Sequence, residues 1–213
     1  MVLQSGNICT LDVHMICENC QVGNIKATKL WGGRTVFVEG PQGSGKSSLV
    51  KALSEVLGYK ISRGFPSGDY LRRSPSRQMV CQEANRLVVE SSPETIFDRS
   101  PISQHVYLAR NGSNPQECLE CSALVFKRFR DLNPTVIFLD SNKEACLARQ
   151  DPKGLCAIEP EQISSEIAMY RYFAQGLESV LGKRRIILNN DLSISLKNLL
   201  TLAQKQLERI SIK

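Results

Sequence analysis

The residues Gly40-Pro-Gln-Gly-Ser-Gly-Lys-Ser47 are the part of this chain best equipped for chemistry. Their spacing is Gly-x4-Gly-Lys-Ser, with Ser48 following. The β-branched apolar run Thr35 to Val38 precedes them and reads as a buried strand. Leu49, Val50, Leu53, Val56 and Leu57 follow at helical spacing. A strand, a glycine turn and a helix start together aim backbone N–H groups and the positive end of a helix dipole at one point. Polyphosphate is the natural occupant. Gly40, Pro41, Gln42, Gly43, Ser44, Gly45, Lys46, Ser47 and Ser48 then form the donor-phosphate site, with Lys46 neutralising charge and the Ser47 hydroxyl ligating Mg²⁺.

The elements around this loop follow a parallel α/β pattern. Strands are expected at about 34–39, 58–62, 95–98, 135–140 and 185–188. Helices are expected to Leu57, from Ser76 to Val89, from Pro101 to Arg130 with a break near Asn111–Pro115, from Glu161 to Leu181, and at the end of the chain. Strands that are apolar throughout need helices on both faces, and ligands then collect at the strands' carboxyl ends. Glu39, Asp98 and Asp140 fall at such ends and should face the phosphate loop. Arg99, next to Asp98, can act there as a planar fork for an anion.

Composition sets the boundaries. The chain has 213 residues, 42% of them hydrophobic and 23% charged, and fits one globular domain. No apolar run is long enough to span a membrane, and the N-terminus lacks the order of a signal peptide. The expected compartment is the reducing cytoplasm, of a host cell if the chain is viral. The net charge of +6 suits anionic substrates such as nucleotides. A dedicated nucleic-acid surface is not indicated, because Lys and Arg form no continuous tract. Eight cysteines are scattered through the chain. Cys17/Cys20 and Cys118/Cys121 form two C-x-x-C pairs with His14 nearby, so a zinc site is conceivable, but buried free thiols are the favoured reading.

Three further segments carry a resemblance. They are Glu83-Ala-Asn-Arg86, Phe97-Asp-Arg-Ser-Pro-Ile-Ser103 continuing to Tyr107, and Phe138-Leu-Asp140 followed by Leu147-Ala-Arg149 and Lys153. In this order and spacing the chain from about Arg34 onward resembles the thymidylate kinases and deoxynucleoside kinases, including the herpesvirus thymidine kinases. The resemblance implies a P-loop kinase fold of the α/β class, with an about five-stranded parallel sheet, helices on both faces and a lid near 142–160. It assigns 33–213 to the kinase domain and leaves 1–32 as an extension of unknown role. ATP and Mg²⁺ are implied, and a homodimer is plausible. By resemblance, Arg149 and Lys153 belong to the lid that closes over the donor phosphates. Asp98 organises Mg²⁺, and Arg99 holds the acceptor. Arg63, Phe65, Gln82, Arg86, Ser103 and Tyr107 line the acceptor pocket.

The acceptor follows partly from chemistry. A nucleoside kinase needs a general base for a 5′-hydroxyl. The related nucleoside kinases place it at the end of the second strand, where this chain reads Ser62-Arg63-Gly-Phe-Pro66. A monophosphate brings its own anionic nucleophile and calls for arginines, which Arg63, Arg86 and Arg99 supply. A deoxynucleoside monophosphate, dTMP first, is therefore the favoured acceptor. The family's aromatic residue before the Arg86 position is Gln82 here, and the acid of its phosphate loop is Gln42. The rival readings are a deoxynucleoside (thymidine) kinase with Asp69 or Glu83 as base, a regulatory GTPase or motor ATPase, a polynucleotide 5′-kinase, and a non-catalytic module that binds nucleotide around a zinc knob.

Overall fold

The computed structural model describes residues 35–63, 94–110, 115–150 and 159–211. The extension 1–32, the helix expected from Ser76 to Val89, and the candidates Phe65, Gln82, Arg86 and Lys153 lie outside the described residues, as does the side chain of Arg63.

Five parallel strands form one sheet in the order β2-β3-β1-β4-β5. They are β1 (Val36–Glu39), β2 (Lys60–Arg63), β3 (Thr95–Asp98), β4 (Thr135–Asp140) and β5 (Arg185–Asn189). The helices are α1 (Lys46–Leu57), α2 (Pro101–Arg110), α3 (Pro115–Leu132), α4 (Lys143–Ala148), α5 (Pro160–Gly176), α6 (Glu178–Leu181) and α7 (Leu196–Ser211). This is the doubly wound sheet that the apolar strands demand. Every residue of β1 is buried, so its alternate side chains need cover on opposite faces. Phe37 joins Phe97, Phe129, Val106 and Phe173 under α2, α3 and α5. Val36 and Val38 join Leu49, Leu53, Leu199 and Ala203 under α1 and α7.

The central strand is flanked by β3 and β4, with Phe37 opposite Phe97 on one side and Val136 on the other. Chain connections leave β1 and β4 toward opposite edges of the sheet. Such a switch point opens a crevice at the strands' carboxyl ends, and there the loop Gly40–Gly45 stands.

Several boundaries differ from the sequence expectation. Strand β2 begins two residues late because Gly58, in the left-handed region at φ 69°, caps α1 through its N–H to the Ser54 carbonyl. The polar stretch after β4 opens with a short helix: Asn142 caps α4 by accepting from the Ala145 N–H at 2.8 Å, while Ala145 and Cys146 are buried. The helix expected to reach Leu181 stops at Gly176. Leu177, fully buried, turns the chain into α6 and a 3₁₀ turn, Gly182–Arg184. Among the described residues no helix is long and apolar enough to cross a membrane.

The Phe37 ring lies 4.8 Å from that of Phe97 and 5.5 Å from that of Phe129. Phe37→Ala should therefore empty the middle of one layer and cost about 3–5 kcal/mol in denaturant unfolding.

Candidate functional site

The phosphate loop is shaped by close approach. Gly43 has φ 78°, and a Cβ there would come within 2.2 Å of the Cys146 carbonyl oxygen. Gly45, at φ 85°, is the N-cap of α1. A left-handed turn running into a helix N-terminus is the backbone geometry of an anion nest. Neighbouring elements fix the loop from both sides. On one side the Asn190 side-chain amide donates to the Ser44 carbonyl at 2.6 Å. On the other the Gln42 N–H donates to Glu166 Oε2 at 2.9 Å.

Lys46 is buried with only 4% exposure, and its Nζ donates to the Pro41 carbonyl at 2.6 Å. Burial, and then the Arg99 cation, pull its ammonium down to about 7, against the pull of Asp98, Glu166 and Glu39. The Ser47 hydroxyl donates to Asp98 Oδ2 at 2.6 Å. Asp98 Oδ1 is buried and has no hydrogen-bond partner among the described residues. An exposed hydroxyl beside a carboxylate with one unmet oxygen is a hard, oxygen-only donor set of the kind Mg²⁺ takes. The residues present fit that ion.

Arg99 follows Asp98 directly and has φ 84°, in the left-handed region. A non-glycine residue there is strained, and such strain persists only where the surroundings over-determine it. Here the Arg99 N–H donates to the Val38 carbonyl of β1. Its guanidinium bonds the Tyr107 hydroxyl and lies 5.4 Å from the centre of that ring. Arg110 approaches the same ring at 4.9 Å. Arg110 is paired with Glu166 at 2.8 Å, whereas Arg99 makes no ion pair among the described residues.

Beneath the loop, Glu39 is fully buried. Its Oε2 accepts from Ser103 Oγ at 2.7 Å, and that hydroxyl also meets Tyr170 Oη at 2.8 Å. Glu39 Oε1 has no hydrogen-bond partner among the described residues. Burial pushes this carboxyl up to about 7, opposed by hydrogen bonds from Ser100 and Ser103 and by the charges of Arg99 and Lys46. Burial likewise raises the Tyr170 phenol.

The structure thus gathers Lys46, Ser47, Asp98, Arg99 and Tyr107 at the ends of β1 and β3. Ser103 lies below them, inside the core. Arg149 stands on the β5 side of the loop, where its guanidinium donates to the carbonyls of Asn190 at 3.0 Å and Asp191 at 2.7 Å. Asp140, also expected to face the loop, is paired with Arg171 at 2.9 Å. Cys121 and Cys146 are buried. The partners needed for the conceivable zinc site, Cys17, Cys20 and the Cys118 side chain, are outside the described residues.

No protein-family model matches the chain, and no curated protein matches it. Solved structures do. A deoxyadenosine kinase from M. mycoides, solved with the product dCMP and a flexible dCDP, superposes at TM-score 0.58 with 17% identity, over 83% of this chain and 100% of that one. A thymidylate kinase from Candida albicans gives 0.54 with 20% identity, over 83% and 92%. This chain has the P-loop kinase fold. A gluconokinase from Sinorhizobium meliloti 1021 also matches at 0.54 with 17% identity, over 86% and 96%. These P-loop kinase neighbours are named for different acceptors, so the fold alone does not fix the acceptor.

Sequence reasoning missed Glu166, Arg110 and Asn190. Glu166 had a signal. It sits on the apolar stripe Ile163, Ile167, Tyr170, Ala174 of α5, where a carboxylate is out of place unless it has partners. Asn190 directly follows β5, and nothing local shows that its amide reaches back to Ser44.

Two outcomes follow from this geometry. Gly43→Ala drives a methyl into a backbone carbonyl, so nucleotide binding measured by calorimetry should be lost while the far-ultraviolet spectrum is kept. Glu39 has a folded value above its ordinary 4.5, so its contribution to stability is present at acid pH and is lost as pH rises through about 7. Lys46, lowered from 10.5 to about 7, acts in the window above. In Glu39→Gln, the melting-temperature difference from the parent should grow in the variant's favour between about pH 4.5 and 7, and stay level below that.

Proposed function

We propose that this protein is an ATP- and Mg²⁺-dependent kinase that phosphorylates a deoxynucleoside monophosphate, with dTMP the first acceptor to test. The observation that carries the reading is Arg99: a strained cation with no ion pair among the described residues, held at the end of β3, beside the Ser47–Asp98 pair and across from the phosphate loop. A cation there suits an acceptor that is itself an anion. Strand β2 ends beside it at Ser62-Arg63, and the sequence there offers no carboxylate before Asp69 to take a proton from a hydroxyl.

In this reading the loop and Lys46 hold the donor's polyphosphate, whose charge also restores the proton that burial makes Lys46 ready to lose. Ser47 and Asp98 hold Mg²⁺, which when bound offsets charge on the phosphates. Arg99 orients the acceptor phosphate. An oxygen of that phosphate attacks the γ-phosphorus, and the bond to the β–γ bridging oxygen breaks. The nucleophile is already ionised, so no general base is needed. Arg63, Phe65, Gln82 and Arg86 complete the acceptor pocket, Ser103 and Tyr107 support it, and Arg149 with Lys153 covers the donor. The likeness to a deoxyadenosine kinase supports a second reading, in which the acceptor is a nucleoside and Asp69 or Glu83 supplies the base.

ATP consumption with Mg²⁺ should be assayed against dTMP, dUMP, dCMP, dGMP, thymidine, deoxycytidine and a 5′-hydroxyl oligonucleotide. Turnover with a monophosphate is the expected result. Turnover with a nucleoside alone would establish the second reading instead. Lys46→Ala should abolish turnover with the fold retained. Arg99→Ala should lower kcat/KM for the acceptor by about a hundredfold or more, with ATP affinity little changed.

A further inference from the structure

We propose that Glu166 is a positioning residue that locks the phosphate loop in register with the acceptor-side arginine. This rests on the kinase reading above. The rest of the buried face of α5 is apolar or aromatic: Ile163, Ile167, Tyr170, Phe173 and Ala174. Glu166 shares that face at 0% exposure. A carboxylate so placed is strongly unfavourable unless both oxygens are met. Both are. Oε2 accepts from the Gln42 N–H at 2.9 Å, and Oε1 from Arg110 at 2.8 Å.

These two partners lead to opposite sides of the site. Gln42 lies inside the loop, between Pro41 and Gly43, so its N–H reports the loop's own position. Arg110 packs over the face of Tyr107, and the Tyr107 hydroxyl takes the Arg99 guanidinium. A single chain of contacts, Gln42–Glu166–Arg110–Tyr107–Arg99, therefore runs from donor loop to acceptor arginine through α5 and α2. It also divides the labour of the two cations. Glu166 neutralises Arg110, which is only 10% exposed, and so reserves Arg99 for the incoming anion. A residue that only stapled α5 to α2 would need Arg110 but not the loop amide. In-line transfer depends on donor and acceptor being aligned to within a fraction of an ångström, which is what such a tie controls.

The test is steady-state kinetics, per titrated active site, on Glu166→Gln, Arg110→Gln and the double variant, well below their melting temperatures. A fall in kcat of about a hundredfold is expected, with KM for ATP and for the acceptor each within about threefold of the parent. The double variant should be no worse than the single ones, because both cut one chain. Unchanged kcat per active site with a lowered melting temperature would overturn the proposal, as would additive losses. If Glu166→Gln does not fold, Arg110→Lys serves: it keeps the charge facing Glu166 but loses the planar stack on Tyr107, and unchanged kcat there would likewise overturn the proposal. If the parent turns over none of the acceptors, the kinase reading falls by itself, and the chain is judged in the ligand-free protein by nitrogen-15 NMR. Movement of the Arg99 Nε–H signal in Glu166→Gln supports it; a static Arg99 signal overturns it.

Discussion

Everything at this site depends on charge brought into the core at the carboxyl ends of β1 and β3. Lys46, Glu39 and Glu166 are buried there, with Arg110 nearly so. No one of them is tolerable alone, since an isolated buried ion is far more costly than a mispacked methylene. Together they form a balanced set in which each charge is met by an opposite charge or a hydroxyl. The balance is incomplete: among the described residues one oxygen of Asp98, one of Glu39 and the Arg110 Nε remain without hydrogen-bond partners. If the proposed function holds, a polyphosphate site built this way is organised before the nucleotide arrives, because the residues that would meet it are already held by one another.

The fold was legible because its signals are local. A β-branched run, a Gly-rich turn and an amphipathic helix fix β1, the loop and α1 with no reference to the rest of the chain. The strands at 95–98 and 135–140 read clearly because both of their faces are buried. Boundaries were harder. Gly58 can serve as the end of a helix or the start of a strand, and only its φ decides. The short helix α4 was hidden because its buried face is two small residues, Ala145 and Cys146, too few to show a period.

The site was legible only in part, for a different reason. Lys46, Ser47, Asp98 and Arg99 occupy fixed offsets in short motifs, so their meeting follows from the sheet topology. Glu166 and Asn190 act on the loop from far along the chain, Glu166 on Gln42 and Asn190 on Ser44. Their partners in the loop are backbone atoms, which leave no mark on side-chain patterns. A polar residue in an apolar stripe shows that a partner exists without saying where. The left-handed backbone of Arg99 is equally silent in sequence, since Arg carries no preference for that region.

The order of the sheet also governs how the protein comes to be folded. The central strand pairs Val36 with Ile96 on one side and Thr135 on the other. Contacts so distant in sequence must be closed against chain entropy before they return any stabilisation, which makes parallel sheets of this kind slow to form. During synthesis the glycine-rich motif emerges before the groups that brace it, Glu166 and Asn190. A nascent chain that stops before α5 would display the complete motif without either brace. On the reading proposed above, a grip on phosphate would have to wait for α5 and the segment after β5 to dock against the loop.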